Sequence, residues 1–220
     1  MMNLARIILF TIFITHSGYG QKINTVVPEK TDRSSNYLFY LHGKIIEEQG
    51  VDAFSEEFGK YEYQKILDTL REAGFVVISE QRPKNAQSEK YATRVAAQID
   101  SLLKAKVAPE KITVVGASKG AWISIMVSSK LHNEKVQFVL MGICDDAFDY
   151  SLDMFKICGN ILSIYEKSDP LAGSCSKLIG SNRDCIGNTS EIELNLGNGH
   201  GFIFRPYKEW VVPVIEWAKQ

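Results

Sequence analysis

This chain of 220 residues has no excess of positive charge: 25 Lys and Arg stand against 26 Asp and Glu, a formal net charge of −1. No basic stripe interleaved with aromatics occurs, so nucleic acid and anionic membrane surfaces are not expected partners. No apolar run is long enough to cross a bilayer comfortably. Cysteine pairs with the Cys-x-x-Cys spacing of metal sites are absent, and no metal or cofactor is implied. There is no internal repeat, low-complexity tract or linker-like stretch, so nothing divides residues 21–220 into more than one domain.

What is present begins with a segment outside the fold. Met1 to Arg6 carries positive charge, Ile7 to Ile14 is apolar apart from Thr11, and Gly18 and Gly20 follow. This layout predicts a signal peptide over residues 1–20, with cleavage before Gln21 and no stable membrane insertion afterwards. The expected location is secreted or periplasmic. Export makes disulfides available to the four cysteines, Cys144, Cys158, Cys175 and Cys185. Among the three possible pairings, Cys175–Cys185, which closes a short loop, and Cys144–Cys158, which bridges the segment between two strands, are favoured, with free thiols as the alternative.

Along the chain, short β-branched or aromatic runs alternate with helical periodicity. Strands are expected at Asn36–Leu41, Phe75–Ser79, Ile112–Val115, Val136–Met141, Asn160–Tyr165 and Ile192–Leu196. Helices are expected over Tyr61–Ala73 and Tyr91–Ala105, from Trp122 onward, and at the C-terminus, where Pro213 should open or kink the helix. Residues 21–35 read as a polar lead-in, and 47–59 as acidic and irregular. Near-continuous apolar strands alternating with helices predict an α/β fold. The expected form is a three-layer α/β/α sandwich around a mostly parallel sheet of about six strands. In such sheets, sites form beyond the carboxyl ends of the strands.

One such end carries Gly116-Ala117-Ser118-Lys119-Gly120, where a strand breaks and a helix begins. Glycine on both sides lets a tight, strained turn lift the Ser118 hydroxyl clear of the sheet. A serine hydroxyl needs a base within hydrogen-bond reach and a third group to orient that base. His200, in Gly199-His200-Gly201 after the last strand, is the expected base. His42 ends the first strand and reads as a loop-shaping residue, while His132 reads as solvated at a helix end. Asp169, in Ser168-Asp169-Pro170, is the favoured acid, with Asp145 and Asp146 as rivals. Glu166 reads as a solvated loop charge.

The order Ser118, Asp169, His200, together with His42-Gly43 after the first strand, resembles the α/β-hydrolase superfamily from about Asn36 to the C-terminus. The resemblance implies catalytic Ser118, Asp169 and His200. It also implies an oxyanion hole formed by the backbone N–H groups of Lys119 and Lys44, such donors typically contributing about 3 kcal/mol each. Departures accompany it. Residues 21–35 can barely supply the family's opening strands, the run after His42-Gly43 is not glycine-rich, and no lid domain fits between Met141 and Asn160. An open site favours a small soluble or polymer-borne ester over a buried lipid tail.

The expected function is therefore an exported serine hydrolase acting through an acyl-enzyme, most readily on carboxylic esters. Peptidase, thioesterase or acyltransferase action on the same scaffold, or a non-catalytic binding module, are the alternatives. The Lys119 and Lys44 side chains could add positive charge beside the oxyanion, or could simply be solvated. Glu47, Glu48, Glu80 and Arg82 are expected near the pocket rim. Asn188-Thr189-Ser190 fits an N-glycosylation acceptor.

Overall fold

Six strands, all running parallel, form the centre of the protein, in the order β4 (Phe75–Ile78), β1 (Asn36–Leu41), β5 (Ile112–Ala117), β6 (Gln137–Met141), β7 (Gly159–Glu166) and β8 (Ile186–Leu194). The computed structural model describes residues 23–144 and 156–220. The expected signal segment, Asp145, Asp146 and most of the stretch judged too short for a lid lie outside the described residues.

The elements in chain order are β1 (Asn36–Leu41), α1 (Lys44–Gln49), β2 (Phe54–Ser55), β3 (Gly59–Lys60), α2 (Tyr63–Glu72), β4 (Phe75–Ile78) and α3 (Ser88–Lys104). Then come β5 (Ile112–Ala117), α4 (Lys119–Leu131), β6 (Gln137–Met141) and β7 (Gly159–Glu166). The chain ends with α5 (Ser176–Gly180), β8 (Ile186–Leu194), a 3₁₀ segment (Gly199–Phe204) and α6 (Lys208–Trp217).

The continuous apolar character of the central strands follows from burial on both faces. Tyr37, Phe39 and Leu41 of β1 pack with α3 and α4 on one face. The alternate residues Leu38 and Tyr40 pack with α2 and α6 on the other. Strand alternation thus divides one sheet between two cores, giving the three-layer arrangement.

Two expectations change. The stretch 47–59 is not irregular: Ile46 and Glu47 are buried on α1, and β2 and β3 form an antiparallel hairpin. Gly59, the first residue of β3, has φ +77, a left-handed conformation that glycine adopts without steric cost. The last strand begins six residues earlier than its apolar signal, at Ile186 rather than Ile192. As an edge strand, β8 leaves residues 187–191 exposed, so no burial selects apolar residues there. Asn188-Thr189-Ser190 lies on that exposed stretch. Pro213 lies inside α6, the second of the two placements expected for it. Of the N-terminal lead-in, Asn24 makes one parallel bridge to Ile78 at the outer edge of β4.

The cysteines pair differently from expectation. The disulfides are Cys144–Cys175 and Cys158–Cys185, with Cα–Cα separations of 5.3 and 4.7 Å. The reason lies in the sheet. Cys158 and Cys185 each stand one residue before neighbouring parallel strands, whose register sets Gly159 against Ile186. Cys144 leaves β6 near the turn holding Gly173, whose N–H bonds the Cys144 carbonyl at 2.5 Å. Closeness along the chain is a poor guide where crossover connections bring distant segments together.

Candidate active site

Each predicted site residue lies just beyond the carboxyl end of a strand. Ser118 follows β5, with φ 52 and ψ −118, a region non-glycine residues rarely adopt and hold only when surroundings enforce it. The enforcing contacts are steric. A Cβ on Gly120 would lie 1.8 Å from the Leu41 carbonyl oxygen, and one on Gly116 would lie 2.5 Å from Ala121 Cα. The Ser118 N–H donates to the Met141 carbonyl at 2.8 Å, tying the turn to the end of β6.

His200 arrives on the 3₁₀ segment after β8. Its Nε2 is 2.9 Å from Ser118 Oγ, and its Nδ1 is 2.6 Å from Asp169 Oδ2. An ionised carboxylate only accepts, so Nδ1 carries the proton and Nε2 is left to accept from the serine hydroxyl. The other carboxylate oxygen, Oδ1, accepts the Leu171 N–H at 2.9 Å. The imidazole is only 13 % exposed and the carboxylate side chain is fully buried, so little water competes for the pair. The three residues expected from sequence are therefore brought together in one hydrogen-bonded line.

Lys119 and Lys44 are the first residues of α4 and α1, so neither backbone N–H has an acceptor within its own helix. Gly43, which precedes Lys44, adjoins the serine: a Cβ there would lie 3.8 Å from Ser118 Cβ. The lysine side chains do not reach over the serine as free cations. Lys119 Nζ lies 2.5 Å from Glu47 Oε2 and donates to the Ala86 carbonyl at 2.9 Å. Lys44 Nζ pairs with exposed Glu48 at 3.3 Å.

Behind the turn, Glu47 and Arg82, each side chain 1 % exposed, form an ion pair of 2.5 Å. These residues are buried structure rather than rim. His42 joins them: its Nε2 accepts the Arg82 backbone N–H at 2.9 Å, and its Nδ1 donates to the Gly43 carbonyl at 2.8 Å. An Arg82 side-chain N–H also bonds the His42 carbonyl. Burial, followed by the neighbouring Arg82 charge, pushes the His42 pKa down to about 3. The ring is a neutral loop anchor, as its place at the end of β1 suggested. Glu80 instead pairs with Arg94 at 3.0 Å.

Three further residues bear on the site. Gly142 has φ +60, and a Cβ there would approach His200 Cε1 to 3.2 Å, so its smallness leaves room for the imidazole. Phe58, at the hairpin tip, packs on the loop that carries His200, where a Cβ on Gly201 would fall 2.6 Å from its ring. Glu166 is wholly buried, contrary to its reading as a solvated charge. It ends β7 as a buried acceptor for the loops around Asp169 and His200. None of the three has a local sequence signal, since each depends on a contact with a segment far away in the chain. A groove of about 430 Å³ is lined by Phe58, Ser168, Pro170, Gly199 and Tyr207 among others.

Among the described residues, one cluster has metal-ligand geometry: His132, Cys158 and Cys185. Two of its members are joined in a disulfide and so offer no thiolates. His132 is exposed, as expected, with its ring nitrogens 3.8 and 3.9 Å from Cys185 Sγ.

No protein-family model matches the chain, and no curated protein matches it. Solved structures do. The Pyrococcus furiosus esterase Pf2001 is 18% identical, covering 86% of this chain and 82% of its own, with a TM-score of 0.56. Esterase PE8 is 11% identical, covering 84% and 92%, at 0.56. Agrobacterium tumefaciens ATU1826, a protein of unknown function and candidate α/β hydrolase, is 15% identical, covering 88% of each chain, at 0.57. With its parallel six-stranded sheet flanked by helices on both faces, the chain has the α/β-hydrolase fold.

Proposed function

We propose that this chain is an exported serine hydrolase that cleaves carboxylic esters through an acyl-enzyme. The observation that carries the reading is the unbroken line of hydrogen bonds from Ser118 Oγ through His200 to Asp169, set on a strained turn at a strand end. Fold alone hosts many activities; the site is what argues for this one.

Ser118 Oγ attacks the ester carbonyl carbon as His200 Nε2 takes its proton. Asp169 holds the ring in the productive tautomer and stabilises the imidazolium. The tetrahedral oxyanion accepts hydrogen bonds from the Lys119 and Lys44 N–H groups, which act at the moment negative charge develops. The carbon–oxygen bond to the alcohol then breaks, with His200 returning the proton to the leaving oxygen. Water, activated by the same imidazole, attacks the acyl-enzyme and releases the acid and free Ser118. The reaction needs no cofactor. The substrate is a small-molecule or polymer-borne acyl ester.

Export rests on the leader-like residues 1–20 and is supported by two disulfides, which persist in oxidising compartments. In this reading residues 21–220 form the mature domain. No helix among the described residues is long and apolar enough to cross a membrane.

The test is a fluorophosphonate probe with short-chain p-nitrophenyl esters. Wild type should label at Ser118 and turn over the esters, while Ser118→Ala should do neither yet keep its fold. Ester hydrolysis undiminished in that variant would sink the proposal. A panel of esters, thioesters and peptides then ranks the acyl classes.

A further inference from the structure

Glu166 is the last residue of β7, and its side chain is wholly buried. A buried carboxylate is costly unless its oxygens are satisfied. Here both are. Oε2 accepts the Leu196 N–H at 2.8 Å. Oε1 faces the Ser168 hydroxyl at 3.1 Å, the Ser168 N–H at 3.3 Å and the Gly197 N–H at 3.4 Å. Every one of these groups is a neutral donor, which suits an acceptor-only carboxylate.

The donors come from two loops that meet nowhere in the sequence. Ser168 precedes Asp169, whereas Leu196 and Gly197 open the loop that carries His200. The bridge extends one bond further, because Ser168 Oγ accepts the Gly199 N–H at 3.0 Å. Asp169 and His200 are therefore each one residue away from a group held, directly or through Ser168, by the same carboxylate. The Asp169 N–H also bonds the Glu166 carbonyl at 2.9 Å, so the acid loop is gripped through both backbone and side chain.

We propose that Glu166 is a positioning residue: its carboxylate clamps the acid loop to the base loop and so sets the 2.6 Å contact between Asp169 and His200. The proposal rests on the serine-hydrolase reading. Glu166 touches neither substrate nor the reacting atoms and acts through the pair it aligns. A neutral amide cannot do the same work. Glutamine offers one acceptor where two are needed, and its NH₂ must face either Leu196 N–H or the donors around Ser168. One loop is then released.

The experiment compares wild type with Glu166→Gln and Ser168→Ala, measuring kcat, KM and the NMR resonance of the His200 Nδ1 proton. That proton reports the Asp169–His200 bond without requiring turnover. In Glu166→Gln it should shift or broaden. With the catalytic pair displaced, kcat should fall by about 10- to 100-fold, while KM changes by less than about threefold. Ser168→Ala, an exposed position that leaves the core intact, should act in the same direction and less strongly. It carries the test if Glu166→Gln does not fold. Combining both should cost less than the product of the single losses, because they share one network.

A resonance unmoved and a kcat within about twofold of wild type in the folded variants would overturn the clamp. Failure of the serine-hydrolase reading is told apart by Ser118→Ala, whose activity would then match wild type while the His200 resonance still responded to Glu166→Gln.

Discussion

Lys119 Nζ lies 2.5 Å from Glu47 Oε2, and the other oxygen of that carboxylate lies 2.5 Å from Arg82 Nε. One buried anion thus joins the residue after Ser118, the first helix after His42-Gly43, and the loop leaving β4. Removing it strands the Arg82 guanidinium in the interior. Glu47→Ala should cost about 3–5 kcal/mol, the usual penalty for orphaning a buried charge. Chemical denaturation of the two proteins at neutral pH measures it, and a loss under about 1 kcal/mol would contradict the assignment.

The glycines of the turn should divide sharply from glycines elsewhere. Gly120→Ala places a methyl 1.8 Å from the Leu41 carbonyl oxygen, and backbone cannot yield there as a flexible side chain would. A destabilisation of at least about 3 kcal/mol is expected. Gly180→Ala, at the end of α5 with no atom within 4 Å of the new Cβ, should instead be stabilising by about 0.5 kcal/mol. Thermal melts of both variants test the contrast.

His42 predicts a pH dependence with a definite sign. Its folded pKa, about 3, lies below its ordinary value of 6.5, so between those values the unfolded chain binds more protons than the folded one. Stability from this group is fully present above pH 6.5 and is lost as pH falls toward 3, with a slope of at most about 1.4 kcal/mol per pH unit. Carboxylates contribute near the lower end. The measurement is therefore the difference between wild type and His42→Asn across pH 4 to 6.5, where the variant should show the shallower slope.

The disulfide assignment is checked by peptide mapping under non-reducing conditions. Linked peptides should contain Cys144 with Cys175 and Cys158 with Cys185. The Cys158–Cys185 bridge spans a sequence separation of 27, and replacing both residues with serine should cost about 3–4 kcal/mol. A recovered Cys175–Cys185 peptide would refute the pairing.

Asp169→Asn keeps the shape of the site and loses the charge opposite His200. An amide there can donate toward Nδ1 and favour the wrong tautomer, so kcat should drop by about 10³- to 10⁴-fold with KM little changed. Steady-state kinetics with a short-chain ester provides the reading.

The strands read most reliably from sequence were those buried on both faces. Asn36–Leu41 matches β1 residue for residue, because a central parallel strand needs apolar side chains at nearly every position. The first half of β8 is silent for the opposite reason: at the sheet edge, its polar residues carry no burial signal. The helix at Lys44–Gln49 leaves no helical periodicity to read, because it is 6 residues long and buries only Ile46 and Glu47.

The turn at Ser118 and its partners His200 and Asp169 were legible because each obeys a local rule: glycines where a turn is tight, and chemistry at strand ends in a set order. Glu166 and Glu47 were not. Both are acidic residues near the ends of regular elements, where solvent is the usual environment. Only the convergence of Ser168, Leu196 and Gly197 makes one a buried acceptor, and only Arg82 and Lys119 make the other a buried anion.

By itself, then, the sequence determined the layer architecture and the strand ends at which Ser118, Asp169 and His200 stand, since hydrophobic periodicity and glycine placement act over short stretches of chain. The tertiary structure decided which cysteines pair, which carboxylates are buried and what holds Asp169 against His200. These depend on crossover connections that bring together segments tens of residues apart, such as Ser168 and Gly199 at 3.0 Å, and no local pattern encodes that meeting.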